Sequence, residues 1–334
     1  MLYGLRYATY LRVATSIIAV GACRDGSNGS TARASPVSAL ELSSLRVMPV
    51  PPLHESQGIF IAGDQIVSWG TSPERALWWS DSQPVRVLAS EKLRGPIGAA
   101  LARPHHVRIL DTAARAELVF DESGRLTHST PVEFPAGLES ASYAHGRWFA
   151  ATIDRDSGAR IVALGNEASS TLLRHRVPID SGGPIRERLL LATSGSDVLA
   201  ISRFYPFAMY RLDSAGTVIQ QIRPDLSSAL KADSSVELQS LVTVGLVRLD
   251  RGYLLSFAEL TSLRRMVAVL NEDGKTERVR QLNNALAFSA SDPSAKTLLS
   301  VRRFSGSQEL QIFRWAWAPS GKQPSNFPIQ RGKK

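Results

Sequence analysis

One cysteine, Cys23, stands in the 334 residues, so no disulfide can form within the chain. No Gly-x-Ser-x-Gly elbow occurs, which removes the serine hydrolases built on that turn. No His-Glu-x-x-His and no Cys/His cluster offers the spacing that holds zinc. His105 and His106 are adjacent; on a strand they face opposite sides and cannot chelate together. Asp154-x-Asp156-x-Gly158 has the start of a calcium loop but lacks the later oxygen ligands and the distal glutamate, and a β-turn explains it equally well. Asparagine appears six times, at 28, 166, 271, 283, 284 and 326, nearly always in tether, turns or tail.

Basic residues outnumber acidic ones by 9. The excess is not a stripe on the folded body. Residues 1–35 contribute +3 and residues 320–334 contribute +4, leaving about +2 for everything between. Nucleic acid is therefore not an expected partner. The basic tail can touch anionic lipid or polysaccharide, or simply be solvated.

What is present is a repeat. Phrases at 119–126, 210–218, 268–276 and 315–322 each place an alternating apolar run, a four-residue turn ending in glycine, and a second run. The turns are Asp121–Gly124, Asp213–Gly216, Asn271–Gly274 and Ala318–Gly321. Glycine takes the left-handed position that closes such a hairpin, and Asp or Asn bonds the turn backbone from its first residue. Degenerate copies at 76–88 and 161–174 bring the number to six, spaced about 48 residues apart, which is the period of a propeller with four strands per blade. A β-rich run precedes each hairpin (65–69, 105–110, 147–153, 197–202, 253–257, 297–301). Ahead of four of those lie small-residue segments at 58–63, 97–102, 140–144 and 285–291, as innermost strands crowded round an axis require. After the sixth hairpin two prolines spoil the next strand, whereas LeuArgValMetProVal (45–50) has the pattern of an outer strand. The fold expected is all-β: a six-bladed propeller of four-stranded antiparallel blades, its last blade completed by an N-terminal strand. A β-sandwich is the alternative, and it has no such period.

Residues 1–22 carry Arg6 and Arg12, a short apolar stretch and small residues before Cys23, the order of a secretory signal. Val20–Gly21–Ala22–Cys23 resembles the bacterial lipobox, which implies lipidation of Cys23 and attachment to a membrane. Arg24 at the next position, by resemblance to enterobacterial sorting, implies the outer membrane. The domains read from this are a signal at 1–22, a flexible tether at 23–40, the propeller at 41–322 and a basic disordered tail at 323–334.

In a propeller the connections between second and third strands gather on one face round the axial mouth. Here they bring Arg203, Tyr205, Arg264, Arg265, Arg302, Arg303, Asp111 and Asp154 as candidate ligand-binding residues. Arginine forks bind carboxylates and phosphates, and tyrosine adds aromatic surface. Solvated loop charge and ion pairs between blades are the competing explanation. No catalytic residue, metal site or cofactor is assigned.

The run ValLeuAlaIleSerArgPheTyrProPheAlaMetTyrArgLeuAspSerAlaGlyThrVal (198–218) resembles the blades of bacterial six-bladed propellers of the NHL and TolB-like type. That resemblance implies the fold and an exported setting, not an activity. The expected role is a monomeric, envelope-anchored module that binds a protein, peptide or glycan without catalysis. The alternative is a propeller enzyme, a lactonase-type hydrolase or a lyase, acting at the axial mouth.

Overall fold

The computed structural model describes residues 40–317 apart from 51–55, 72–73, 81–82, 89, 104, 155–157, 166–169, 176–187, 195–196, 231–235, 283–287 and 305–306. Cys23, the signal, all of the tether but Leu40, the tail and the Ala318–Gly321 turn lie outside the described residues.

The described residues form six four-stranded antiparallel sheets. The first strand, β1 (Leu40–Val50), is set aside for the end of the ring. Blade one is β2 (Ser56–Ala62), β3 (Gln65–Thr71), β4 (Glu74–Ser80) and β5 (Gln83–Leu88). Blade two is β6 (Pro96–Arg103), β7 (His106–Asp111), β8 (Ala116–Asp121) and β9 (Leu126–Pro131). Blade three is β10 (Leu138–Ala144), β11 (Arg147–Asp154), β12 (Gly158–Leu164) and β13 (Ser170–His175). Blade four is β14 (Leu189–Ser194), β15 (Asp197–Ser202), β16 (Met209–Leu212) and β17 (Val218–Ile222). Blade five is β18 (Leu241–Leu249), β19 (Gly252–Glu259), β20 (Arg265–Leu270) and β21 (Thr276–Leu282). Blade six takes β22 (Phe288–Asp292), β23 (Thr297–Phe304) and β24 (Ser307–Trp317), and β1 returns as its outermost strand. The β1–β24 register runs from Leu40 opposite Trp317 to Val50 opposite Gln308. The ring is thus closed by hydrogen bonds between the two ends of the propeller.

The Asp-x-x-Gly turns fold as their residues dictate. Gly124, Gly216 and Gly274 sit at φ of 80°, 81° and 78°, and their amides return to the carbonyls of Asp121, Asp213 and Asn271 at 2.9–3.0 Å. The side chains of Asp121, Asp213 and Asn271 accept from the amide after the glycine at 2.8–3.0 Å. A Cβ on Gly274 would meet Ile222, and one on Gly216 would meet Leu172, both on the outer strand of the preceding blade. Glycine is needed there for its backbone and for close approach at once.

Alternation along each strand sends neighbouring side chains to opposite faces, so each sheet packs on both its neighbours. The core accordingly divides into six clusters, one per junction. Phe120, Val107 and Trp78 join blades one and two; Leu110, Trp148 and Val162 join two and three; Phe149, Ile161 and Tyr210 join three and four. Phe207, Tyr253 and Phe257 join four and five; Val269, Phe288 and Trp315 join five and six; Ile66, Leu77 and Leu299 join six and one. Polar ties cross the same junctions. Glu117 accepts from Arg108 (2.9 Å) and from the indole of Trp148 (2.5 Å), and Arg108 lies 4.2 Å from the Tyr143 ring. Asp197 meets Arg248 of the next blade at 2.8 Å, and Gly63 N donates to Asp292 at 2.5 Å.

Three sequence expectations are corrected. Arg302 and Arg303 lie within β23, opposite Glu309 and Gln308, because that hairpin runs on to Phe304 and Ser307. His105 is in a turn at φ 62°, and β7 starts only at His106. Leu40, expected in the tether, is in β1 and pairs with Trp317.

Candidate functional site

The innermost strands surround a cavity of about 610 Å³ on the axis, lined by residues of all six. Its wall has a recurring local feature. β2, β6, β10, β18 and β22 each slip register near their start, at Ser56/Gly58, Pro96/Gly98, Leu138/Ser140, Thr243/Gly245 and Phe288/Ala290. A bulge leaves one residue outside the ladder and turns the strand, and the skipped Ile97, Glu139, Val244 and Ser289 all line the cavity. Directly after the bulge the chain is tightly confined. A Cβ on Gly245 would fall 2.1 Å from the Phe288 carbonyl oxygen, and one on Gly58 2.2 Å from the Trp69 ring.

β14 is the exception. It pairs with β15 without a slip. There the connection after β15 folds across the junction instead. Arg203 N donates to Arg188 O and Arg203 O accepts from Thr243 N, both at 2.7 Å, while Tyr205 N donates to Leu241 O at 3.1 Å. The backbone of Arg203 is therefore fixed from two sides, although its side chain is exposed.

Among the described residues the charged groups lining the cavity are Arg203, Arg265 and Glu139. All lie at the end where the inner strands begin, which the register places beside the connections between second and third strands. Arg188 pairs with Glu139 at 3.2 Å. The wall also carries hydroxyls engaged between blades. Ser142 and Thr193 share a hydrogen bond of 2.6 Å, Thr243 donates to Ser202 O at 3.1 Å, and Ser291 donates to Arg248 O at 3.0 Å. Ile59, Ile61, Trp69 and Leu246 supply the apolar part.

Of the sequence candidates, Arg203 and Arg265 come together at this cavity. Arg264 stands beside them but is held by Glu259, to which it donates at 3.0 and 2.9 Å. Glu259 is 1% exposed and also accepts from Glu237 N at 2.8 Å and from the Ser262 hydroxyl. Burial raises its pKa, but these donors outweigh it and hold the carboxyl below the usual range. Asp111 is fully buried and accepts from the amides of Arg94, Gly95 and Ala114 at 2.7–2.8 Å; it shapes its loop and presents nothing to a ligand. Tyr205 packs edge-on against Phe207 at 5.7 Å, outside the cavity lining, and burial followed by the charge of Asp225 raises its pKa. Asp154 ends β11 opposite Gly158, and its side chain, like those of Arg302 and Arg303, lies outside the described residues.

Glu139, Trp69 and the hydroxyl wall escaped the sequence reading. Glu139 has no signature beyond a charge beside a small-residue strand, since a bulge cannot be seen in one sequence. Among the described residues no group of three or more His, Cys, Asp or Glu is placed to hold a metal ion.

No family model matches the chain, and no curated protein matches it. Solved structures do. A Bacteroides fragilis protein named as exported has a TM-score of 0.54 at 9% identity, over 85% of this chain and 98% of that one. The PQQ-bound aldose sugar dehydrogenase of Streptomyces coelicolor has a TM-score of 0.54 at 12% identity, over 84% and 100%. A protein named for gluconolactonase has a TM-score of 0.50 at 16% identity, over 84% and 94%. At such identities the likeness concerns architecture alone. The chain is an all-β, six-bladed propeller with a charged opening at one end of its axis.

Proposed function

We propose that this protein is an exported propeller of the bacterial envelope, held to a membrane by a lipid on Cys23, that binds a ligand at the axial mouth and releases it unchanged. The observation behind it is the axial cavity, whose described wall offers arginines, hydroxyls and apolar side chains but a single carboxylate, Glu139, already taken by Arg188. Such a wall can orient and hold a ligand, yet it pairs no nucleophile with a base. The exported setting draws on the lipobox-like Val20–Cys23 segment and on the solved propeller named as exported. A bound protein, peptide or glycan would enter from the face bearing Arg203 and Arg265.

The test is to incubate the full chain with a fractionated envelope extract, recover what co-elutes, and compare its mass before and after release. The expected result is a compound recovered intact, whose retention is lost with Arg203→Ala/Arg265→Ala. Recovery of an altered compound would assign catalysis to the mouth instead.

A further inference from the structure

Resting on that axial reading, we propose that the mouth has a second, apolar subsite between blades two and three, and that its ligand is a peptide. The subsite is a cleft of about 380 Å³ walled by Pro96, Ile97, Phe134, Pro135 and Leu138. It adjoins the axial cavity, since Ile97 and Glu139 line both. These are the residues that the bulges of β6 and β10 leave out of register, so the two spaces meet at a pair of bulges on neighbouring blades. The floor is firm: Ile97, Phe134 and Leu138 pack on the core that joins blades two and three. The walls are tied as well. Asp111 accepts from Gly95 N at 2.8 Å, and the amide and hydroxyl of Thr112 donate to Gly95 O at 2.9 and 3.0 Å. The connection from β9 to β10 is held at both ends, by Val132 N on Arg115 O (2.9 Å) and by Ile153 N on Gly137 O (2.8 Å). The cleft is therefore formed before a ligand arrives, and filling it carries little ordering cost.

Among the described residues, the polar side chains of the cleft are Thr112 and Glu139, and both are engaged. Thr112 donates to Gly95 O, and Glu139 is paired with Arg188 at 3.2 Å. Sugar hydroxyls entering there would exchange water for apolar carbon and lose by it. A leucine or phenylalanine side chain would gain by the same move. The adjoining axial wall is of another kind, carrying the hydroxyls of Ser142, Thr193 and Thr243 and the guanidinium of Arg203. A peptide meets both surfaces within one residue: an apolar side chain beside a backbone that holds a donor and an acceptor. One apolar anchor in a pocket, with the main chain laid along a polar surface, is a recurring way of holding short peptides. The path between the two spaces is contiguous. Glu139 touches Arg188 through its side chain, and Arg188 O accepts from Arg203 N at 2.7 Å. A chain that leaves the cleft past Glu139 thus comes next to Arg188 and Arg203.

The experiment is selection from a random heptapeptide display library on the immobilised full chain, beside a glycan array, followed by calorimetry on a selected peptide. The selected peptides should share one large apolar residue, and its replacement by serine should weaken binding roughly tenfold or more, the scale of one buried side chain. Pro135→Asp, placed off the core beneath, should weaken binding as much with an unchanged melting temperature. Phe134→Ala should do the same to binding, and Phe134→Leu should retain most of it. Arg203→Ala/Arg265→Ala should weaken it too, because the same peptide reaches the axial cavity. Selected peptides with no shared apolar residue overturn the proposal, as does binding indifferent to both cleft variants. Selection of glycans and no peptide also overturns it; if the extract-derived compound is still lost with the arginines, the axial site stands. A peptide that needs the cleft but not the arginines overturns the joint site, and the extract experiment then decides the axial reading alone.

Discussion

The indole of Trp317 donates to the carboxylate of Asp250 at 2.7 Å, across the junction of blades five and six. Trp315 donates to the same carboxylate at 3.1 Å, and Lys296 approaches it at 3.3 Å. One side chain in a turn of blade five thus holds the end of β24, the strand on which ring closure depends. Replacing Asp250 by alanine should lower stability by about 1–3 kcal/mol, since two indole N–H groups lose their acceptor. Urea denaturation of the variant checks this, and an unchanged midpoint refutes it.

Asp250, Asp292 and Glu259 are all held below the ordinary carboxylate range: burial opposes this in each, and hydrogen bonds outweigh it. A depressed folded-state pKa means stability that is fully present above the unfolded value and lost as pH falls through the folded one. Stability should therefore decline as pH drops below about 4. Glu259→Gln should flatten that decline while starting from a lower plateau. Denaturation midpoints measured from neutral pH to pH 2 decide it.

Gly245 and Gly98 give a comparison within one fold. A Cβ at Gly245 meets a backbone oxygen, Phe288 O, at 2.1 Å, whereas one at Gly98 first meets the Trp148 ring at 2.8 Å. Backbone of the next blade cannot step aside as a ring can. Gly245→Ala should cost several kcal/mol or prevent folding, and Gly98→Ala about 1–3 kcal/mol. A reversed order in thermal melts would show that the inner strands yield more readily than packed indole.

The pair Arg108 and Glu117 is mostly buried, at 17% and 16% side-chain exposure, and shares Trp148 as a third member. A double-mutant cycle with Arg108→Met and Glu117→Gln should give a coupling of about 0.5–3 kcal/mol. Additive effects would mean that this ion pair adds nothing to the β7–β8 pairing it spans.

A chain begun at residue 51 lacks β1 and uncovers the edge of β24, where Leu310, Ile312 and Trp315 are buried in the complete ring. It should unfold at lower temperature and self-associate, and a peptide of residues 40–50 should restore the melting temperature. Light scattering and calorimetry report both.

Much of the fold was legible because its signals are local. Asp121, Asp213 and Asn271 announce their turns by chemistry that needs no tertiary context, and their period counts the blades. Two inner strands were not seen. β14 begins with three leucines and β18 is a long apolar run, so neither has the small-residue look of the others. Arg203 and Arg265 were found at the mouth because loop position follows from topology. Asp111 was gathered with them for the same reason, yet it turns inward to cap backbone amides, as Glu259 also does. Whether a strand-end carboxylate faces a ligand or its own loop depends on amides many residues away. Glu139 depends on a bulge, which is set by packing against the next blade.

The register also fixes where the chain enters and leaves. Leu40 and Trp317 are paired, and both lie at the end of blade six remote from the start of its inner strand. The arginine opening is at the other pole. A lipid anchor or a fused domain would therefore join the ring at the pole opposite the arginines.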